Sequence, residues 1–357
     1  MSTGSTEGDA MRRRLGGACA VLLLTVLPVA GCGSGATTAS GAGSSAPRCA
    51  APADAPAPVP PVAAAPGAVG QRLTLDRDAR TVLALALSAD GNLLVAGDRL
   101  GRVTVWDRAA GAAVCALPGD PGAAVNDVAL SPDGRTVASA SDRGAVRLHD
   151  LSGGAPVELP GHDGDVEAVA FAPDGATLVT GGADDTVRFR VLPGGAPGPV
   201  VAVPDTARAL AWSPDGGTVA VGTDGAVVLV GADGTPGATL DTGDGLAVND
   251  VAFAPDGALV AAATDGERVH LWRTADGAPV RVLTGPVNHL QAVTFTPDGS
   301  RVVATGNQGG LWVWDTATGR VVDRMQNRGA GFDVVVTPDG RQAVSGSSGE
   351  IWTWSLG

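Results

Sequence analysis

Apolar residues in this chain come in short runs, not in a helical stripe. Val169 to Phe171, Val251 to Phe253, Thr177-Leu178-Val179-Thr180 and Arg301-Val302-Val303-Ala304-Thr305 are such runs. Tight-turn residues bound them, and within residues 71–357 no segment sustains a 3.6-residue period, so the pattern there predicts short strands and essentially no helix. Continuous apolar runs suit strands covered on both faces.

The runs recur on a fixed period. "AVNDVALSPDG" starts at Ala124 and "AVNDVAFAPDG" at Ala247. The Asp of the turn that follows each first strand stands at Asp90, Asp133, Asp174, Asp215, Asp256, Asp298 and Asp339, at intervals of 41 to 43 residues. Six copies read Pro-Asp-Gly, and the first reads Ala-Asp-Gly. Pro presets φ, Asp bonds its own backbone, and Gly tolerates positive φ. Each unit adds a second tight turn (Asp142-Arg143-Gly144, Asp224-Gly225, Asp265-Gly266), a third strand and a shorter polar strand. Seven four-strand units of about 41 residues predict an all-β fold, a seven-bladed β-propeller of four-stranded antiparallel blades. The chain ends just after the third strand Ile351-Trp352-Thr353-Trp354, and Arg72-Leu73-Thr74-Leu75 is a strand without a blade. Pairing the two would close the ring with an N-terminal strand and remove an open edge.

The Val-Ala-Phe-x-Pro-Asp-Gly units, with Trp106-Asp107 and Trp314-Asp315 ending third strands, resemble the WD40 repeat over residues 71–357. The resemblance implies a propeller that meets protein partners at one mouth of its channel. That family often sets a Gly-His before the first strand, bonded toward the Trp of the third. Gly161-His162 is the single Gly-His pair here, and the matching Trp position holds Arg190, so no blade combines both.

Residues 1–70 differ in kind. Met11-Arg12-Arg13-Arg14 is a basic start, and Met11 is a candidate true start. Leu15 to Val29 is apolar but shorter than the roughly 20 residues of a spanning helix. Val29-Ala30-Gly31-Cys32 resembles the lipobox of bacterial lipoproteins, which implies a signal peptide over 1–31, lipid attachment at Cys32 and an extracytoplasmic domain anchored to the cell membrane. Residues 32–70 read as a disordered tether, Gly/Ser-rich and then Pro/Ala-rich. With Cys19 lost with the signal and Cys32 acylated, Cys49 and Cys115 remain as a possible disulfide, which export permits.

Charge and motifs narrow the function. Net charge is −13, which argues against a nucleic-acid partner. All 24 basic residues are Arg; without Lys there is no Schiff-base or P-loop chemistry, and no hydrolase, zinc-protease or Cys-x-x-Cys motif occurs. The reading is therefore not an enzyme, and no cofactor or metal is expected. The four His fall in different blades, with His149 in a Trp position.

The candidate site is the ring of residues opening each innermost strand. It comprises Asn126, Asp127, Glu167, Arg208, Asn249, Asp250, Gln291, Phe332 and Asp333. Asp127 and Asp250 are expected to face the channel opening. Three uses stand open: a polar rim for a protein partner, a hard-cation site through oxygen ligands, or bonding of local backbone amides. The function follows the same division. The leading reading is a membrane-anchored interaction, scaffold or sensor module for a protein partner. The alternatives are a calcium-dependent lactonase-like propeller enzyme using the channel carboxylates, and a component of an envelope assembly.

Overall fold

A computed structural model describes residues 70–74, 81–285, 289–307, 310–326 and 329–357. Within them lie seven four-stranded antiparallel sheets and no helix. The innermost strands, which define blades one to seven, are Val82–Leu87, Val125–Leu130, Val166–Phe171, Ala209–Trp212, Val248–Phe253, Leu290–Phe295 and Gly331–Val336. Six blades use four consecutive strands. The seventh takes its outer strand, Gly70–Thr74, from the other end of the chain. Gly70 pairs with Trp354 and Leu73 with Ile351, so the ring closes as the sequence predicts.

Cohesion comes from the seams. Each apolar cluster joins two neighbouring blades. Val82, Leu94 and Trp106 of blade one pack with Val344 and Ile351 of blade seven. Leu283 of blade five packs with Trp312 and Trp314 of blade six. The remaining seams repeat this. Both faces of a second strand are covered, which is why Leu94, Val95 and Ala96 read as an unbroken apolar run.

The Pro-Asp-Gly turns form one face of the ring. In blade two the Ser131 hydroxyl donates to Asp133 Oδ1 at 2.6 Å and accepts the Thr136 N–H at 2.9 Å, while Gly134 N–H closes the turn on Ser131 O at 2.8 Å. Ser88, Ser213, Thr296 and Thr337 do the same in blades one, four, six and seven. Each turn proline also leans on the turn glycine of the next blade. A Cβ on Gly91 would come within 2.8 Å of Pro338 Cδ, and one on Gly175 within 3.5 Å of Pro132 Cδ. One seat is vacant. Blade one has Ala89 in place of proline, and Gly134 has nothing within 4 Å of its Cβ position.

Candidate functional site

The opposite face, where the innermost strands begin, holds the residues singled out in the sequence. A bulge sits at the start of six of these strands, between Val125 and Asp127, Val248 and Asp250, and Gly331 and Asp333 among others. It changes what the aspartates do. Asp127 Oδ1 accepts the N–H of Val128 at 2.8 Å, and its Oδ2 accepts the N–H of Val169, in the next blade, at 2.8 Å. Asp250 does this with Val251 and Val293, both at 2.8 Å. Asp333 does it with Val334 and Leu85, both at 2.6 Å. The bulge swings each carboxylate sideways into the seam. Of the three uses left open, the bonds show the one to backbone amides: Asp127 clips blade two to three, Asp250 blade five to six, and Asp333 seven to one.

The asparagines complete the bracket. Asn126 Nδ2 donates to Val166 O at 3.0 Å, and Asn249 Nδ2 donates to Leu290 O at 2.7 Å and to Asp265 Oδ1 at 2.6 Å. The twice-written Val-Asn-Asp-Val is thus a two-point fastener from one blade to the next. The blades that receive a clip carry Ala168, Ala292 and Ala84 at the clipping position.

The three carboxyls lie close enough to repel one another. Burial, with the Asp333 charge added, pushes Asp127 up to about 8 against the pull of its amide hydrogen bonds. Burial does the same to Asp333, up to about 6. Asp250 is driven well above the usual carboxylate range by burial and by the charges of Asp333 and Asp127.

Arg208 Nε donates to Asp224 Oδ1 at 2.7 Å, and Glu167 lies within its electrostatic reach. Glu167, Gln291 and Phe332 are half-buried. Leu100 and Leu246, which the sequence reading missed, stand on this face at 51% and 40% exposure. Among the described residues, no group of three or more His, Cys, Asp or Glu is arranged to hold a metal ion.

Blade three shows how far the buried polar set assembles. His162 Nδ1 meets Asp184 Oδ1 at 2.7 Å, and Nε2 meets Thr180 Oγ1 at 2.8 Å. Arg190, in the Trp position, turns away and donates to Pro160 O at 2.7 Å. In blade seven, Trp354 Nε1 donates to Ser345 Oγ at 2.9 Å. His149 packs in its blade against Ser139 as expected, and burial lowers its pKa to about 4.

The WD40 family, described as WD domain, G-beta repeat, matches residues 71–107, 111–150, 156–189, 234–273 and 277–315, more than half of the chain. The chain belongs to the WD40 family. Blades four and seven of this WD40 propeller fall largely outside the matched segments. Both nonetheless keep the Pro-Asp-Gly turn, and blade four carries Val230 where blades one, five, six and seven have Trp. No curated protein matches the chain in sequence. Cys115 is buried on the outer strand of blade one and is disulfide-bonded; its partner, like Cys32 and Cys49, lies outside the described residues.

Proposed function

We propose that this WD40 propeller is a protein-interaction module, held outside the cytoplasm by a lipid on Cys32, and that it binds its partner through the face where the innermost strands begin. One observation carries the reading. On that face the clips occupy the aspartates, yet exposed Leu100 and Leu246 and half-buried Phe332 stand among Glu167, Gln291 and the Arg208–Asp224 pair. Apolar anchors within a mixed polar rim suit a protein surface. The fold alone does not choose between binding and catalysis; the reading as a binding module follows the family and the character of this rim.

Crosslinking in intact cells, followed by affinity recovery, tests it. Leu246→Asp with Arg208→Glu is expected to lose the crosslinked partner while melting like the parent. Undiminished recovery overturns the face assignment. Cys32→Ser is expected to leave the membrane fraction or to accumulate as precursor; an unchanged, acyl-modified protein overturns the anchor.

A further inference from the structure

On the turn face, each seam brings together two equivalent positions. One follows the third strand of a blade; the other opens the second strand of the blade before it. At the seam of blades seven and one these are Arg108 and Gln342. Arg108 Nη1 donates to Gly91 O at 2.6 Å and Nη2 to Gln342 Oε1 at 2.8 Å; burial lowers its pKa, and the Asp339 charge partly offsets that. At the seam of blades six and seven the guanidinium comes from the other side: Arg301 donates to Leu356 O and Gly357 O. Two seams are therefore filled by the chain's own arginines.

At the seam of blades four and five the same positions hold Thr218 and Thr274, both too short to fill the space. A cleft of about 370 Å³ opens there, lined by Thr218, Thr274, Gly257, Asp215 and Asp256 among others. Gly257 is the counterpart of Gly91, Thr218 of Gln342 and Asp215 of Asp339. The Thr274 hydroxyl oxygen is buried without a hydrogen-bond partner. Asp215 Oδ1 accepts from Ser213 Oγ at 2.5 Å and from Gly217 N–H at 2.9 Å, and Asp256 Oδ1 from Ala258 N–H at 2.9 Å; the second oxygen of each has no bond to a described residue. Blade six also has a buried unpartnered hydroxyl, on Thr316, but there the counterpart of Thr218 is Leu259, which packs into the apolar cluster. Of the groups around the Arg108 guanidinium, the glycine carbonyl and the turn aspartate thus recur at this seam without an arginine, and the Thr218 hydroxyl stands in place of Gln342 Oε1.

We propose that the cleft between blades four and five is a socket for a guanidinium group, the arginine side chain of a partner polypeptide. A planar fork fits acceptors spread over two blades better than an ammonium, which is a point charge. The chain's charge of −13 favours approach of a basic segment. The socket is on the face opposite the proposed partner mouth, so either assignment can fail without the other.

The test is an amide-shift NMR titration of the labelled propeller with Nα-acetyl-arginine methylamide. Saturable shifts are expected at Gly217, Gly257, Ala258 and Thr274. The lysine analogue is expected to bind about tenfold more weakly. Free arginine is expected to bind more weakly too, because its carboxylate approaches Asp215 and Asp256. Asp215→Asn with Asp256→Asn is expected to weaken binding about tenfold. Thr218→Gln with Thr274→Arg, which copies the Gln342–Arg108 pair, is expected to abolish binding and raise the melting temperature. Absence of saturable shifts overturns the socket, as do equal binding of the lysine analogue and unchanged binding by the filled variant. Tighter binding of free arginine overturns the polypeptide as its source.

Discussion

Replacing Asp127 by alanine removes two amide hydrogen bonds of 2.8 Å, one inside blade two and one across to blade three. At about pH 9, where Asp127 is charged, a hydrogen bond to it contributes about 1.5–3 kcal/mol. Part of that loss is offset, because the remaining carboxylates lose a like-charged neighbour. Asp127→Ala is therefore expected to cost about 2–4 kcal/mol. Asp333→Ala, which breaks the clip from blade seven to blade one, should cost a similar amount. Their combination carries the sharper test. Each single variant already relieves the repulsion between the two carboxylates, but the double variant relieves it only once. When both are charged, the double should cost more than the sum of the singles, by about 0.5–1.5 kcal/mol. Near pH 5, with Asp333 raised to about 6 and Asp127 to about 8, both are largely protonated and the costs should add.

The parent's stability should follow pH accordingly. Folded-state values above the unfolded ones mean that these carboxyls contribute fully below about pH 4 and lose that contribution as pH rises through 6 and 8. His149, lowered to about 4, acts in reverse: its contribution is present above its ordinary 6.5 and is lost as pH falls. His162 and His270, also lowered, act likewise. The window from pH 6.5 to 8 therefore isolates the aspartates, and there stability should fall by up to about 1.4 kcal/mol per pH unit for each proton released. Urea unfolding followed by tryptophan fluorescence, for parent, singles and double at about pH 5 and about pH 9, measures all of this. Additive costs at both pH values, or a parent flat from pH 6.5 to 8, would refute the reasoning.

Three further outcomes follow. Ala89→Pro should seat on the open side of Gly134 and stabilise by about 0.4–1 kcal/mol, because no described bond uses the Ala89 N–H; a lower melting temperature would show that the turn cannot take the ring. Deleting Gln71 to Leu75 exposes Glu350–Ser355 as an open edge, so melting temperature should drop and aggregation rise in light scattering; an unchanged melt would mean that closure contributes little. Non-reduced mass spectrometry of the exported protein should recover a peptide joining Cys115 to Cys49, whereas freely alkylated Cys49 would assign the Cys115 bond to another cysteine.

Periodicity carried the architecture. Seven turn aspartates, and a terminal third strand with no fourth, were enough to count the blades and to pair the first strand with the last; the register that sets Leu73 against Ile351 came from the structure. The site was less legible. Asn126-Asp127 marked an unusual position, but direction depends on a bulge that turns one side chain out of the alternating pattern, and no local residue type announces it. The Arg108 contact was hidden for another reason. Its partner Gln342 is 234 residues away, and neither side chain is unusual within its own repeat. Repeat alignment finds equivalent positions; only packing shows that Thr218 and Thr274 leave a space at one seam that arginines fill at two others.

The closing strand also sets the order of assembly. Thr74 and Glu350 stand in register, so the first strand of the ring cannot find its place until Glu350–Ser355 has been made. Blades one to six each complete themselves from consecutive strands and can form as the chain emerges. Blade seven cannot, and the Asp333 clip to Leu85 waits with it. Closing the ring is therefore a single long-range step, and its loop-closure cost spans nearly the whole propeller.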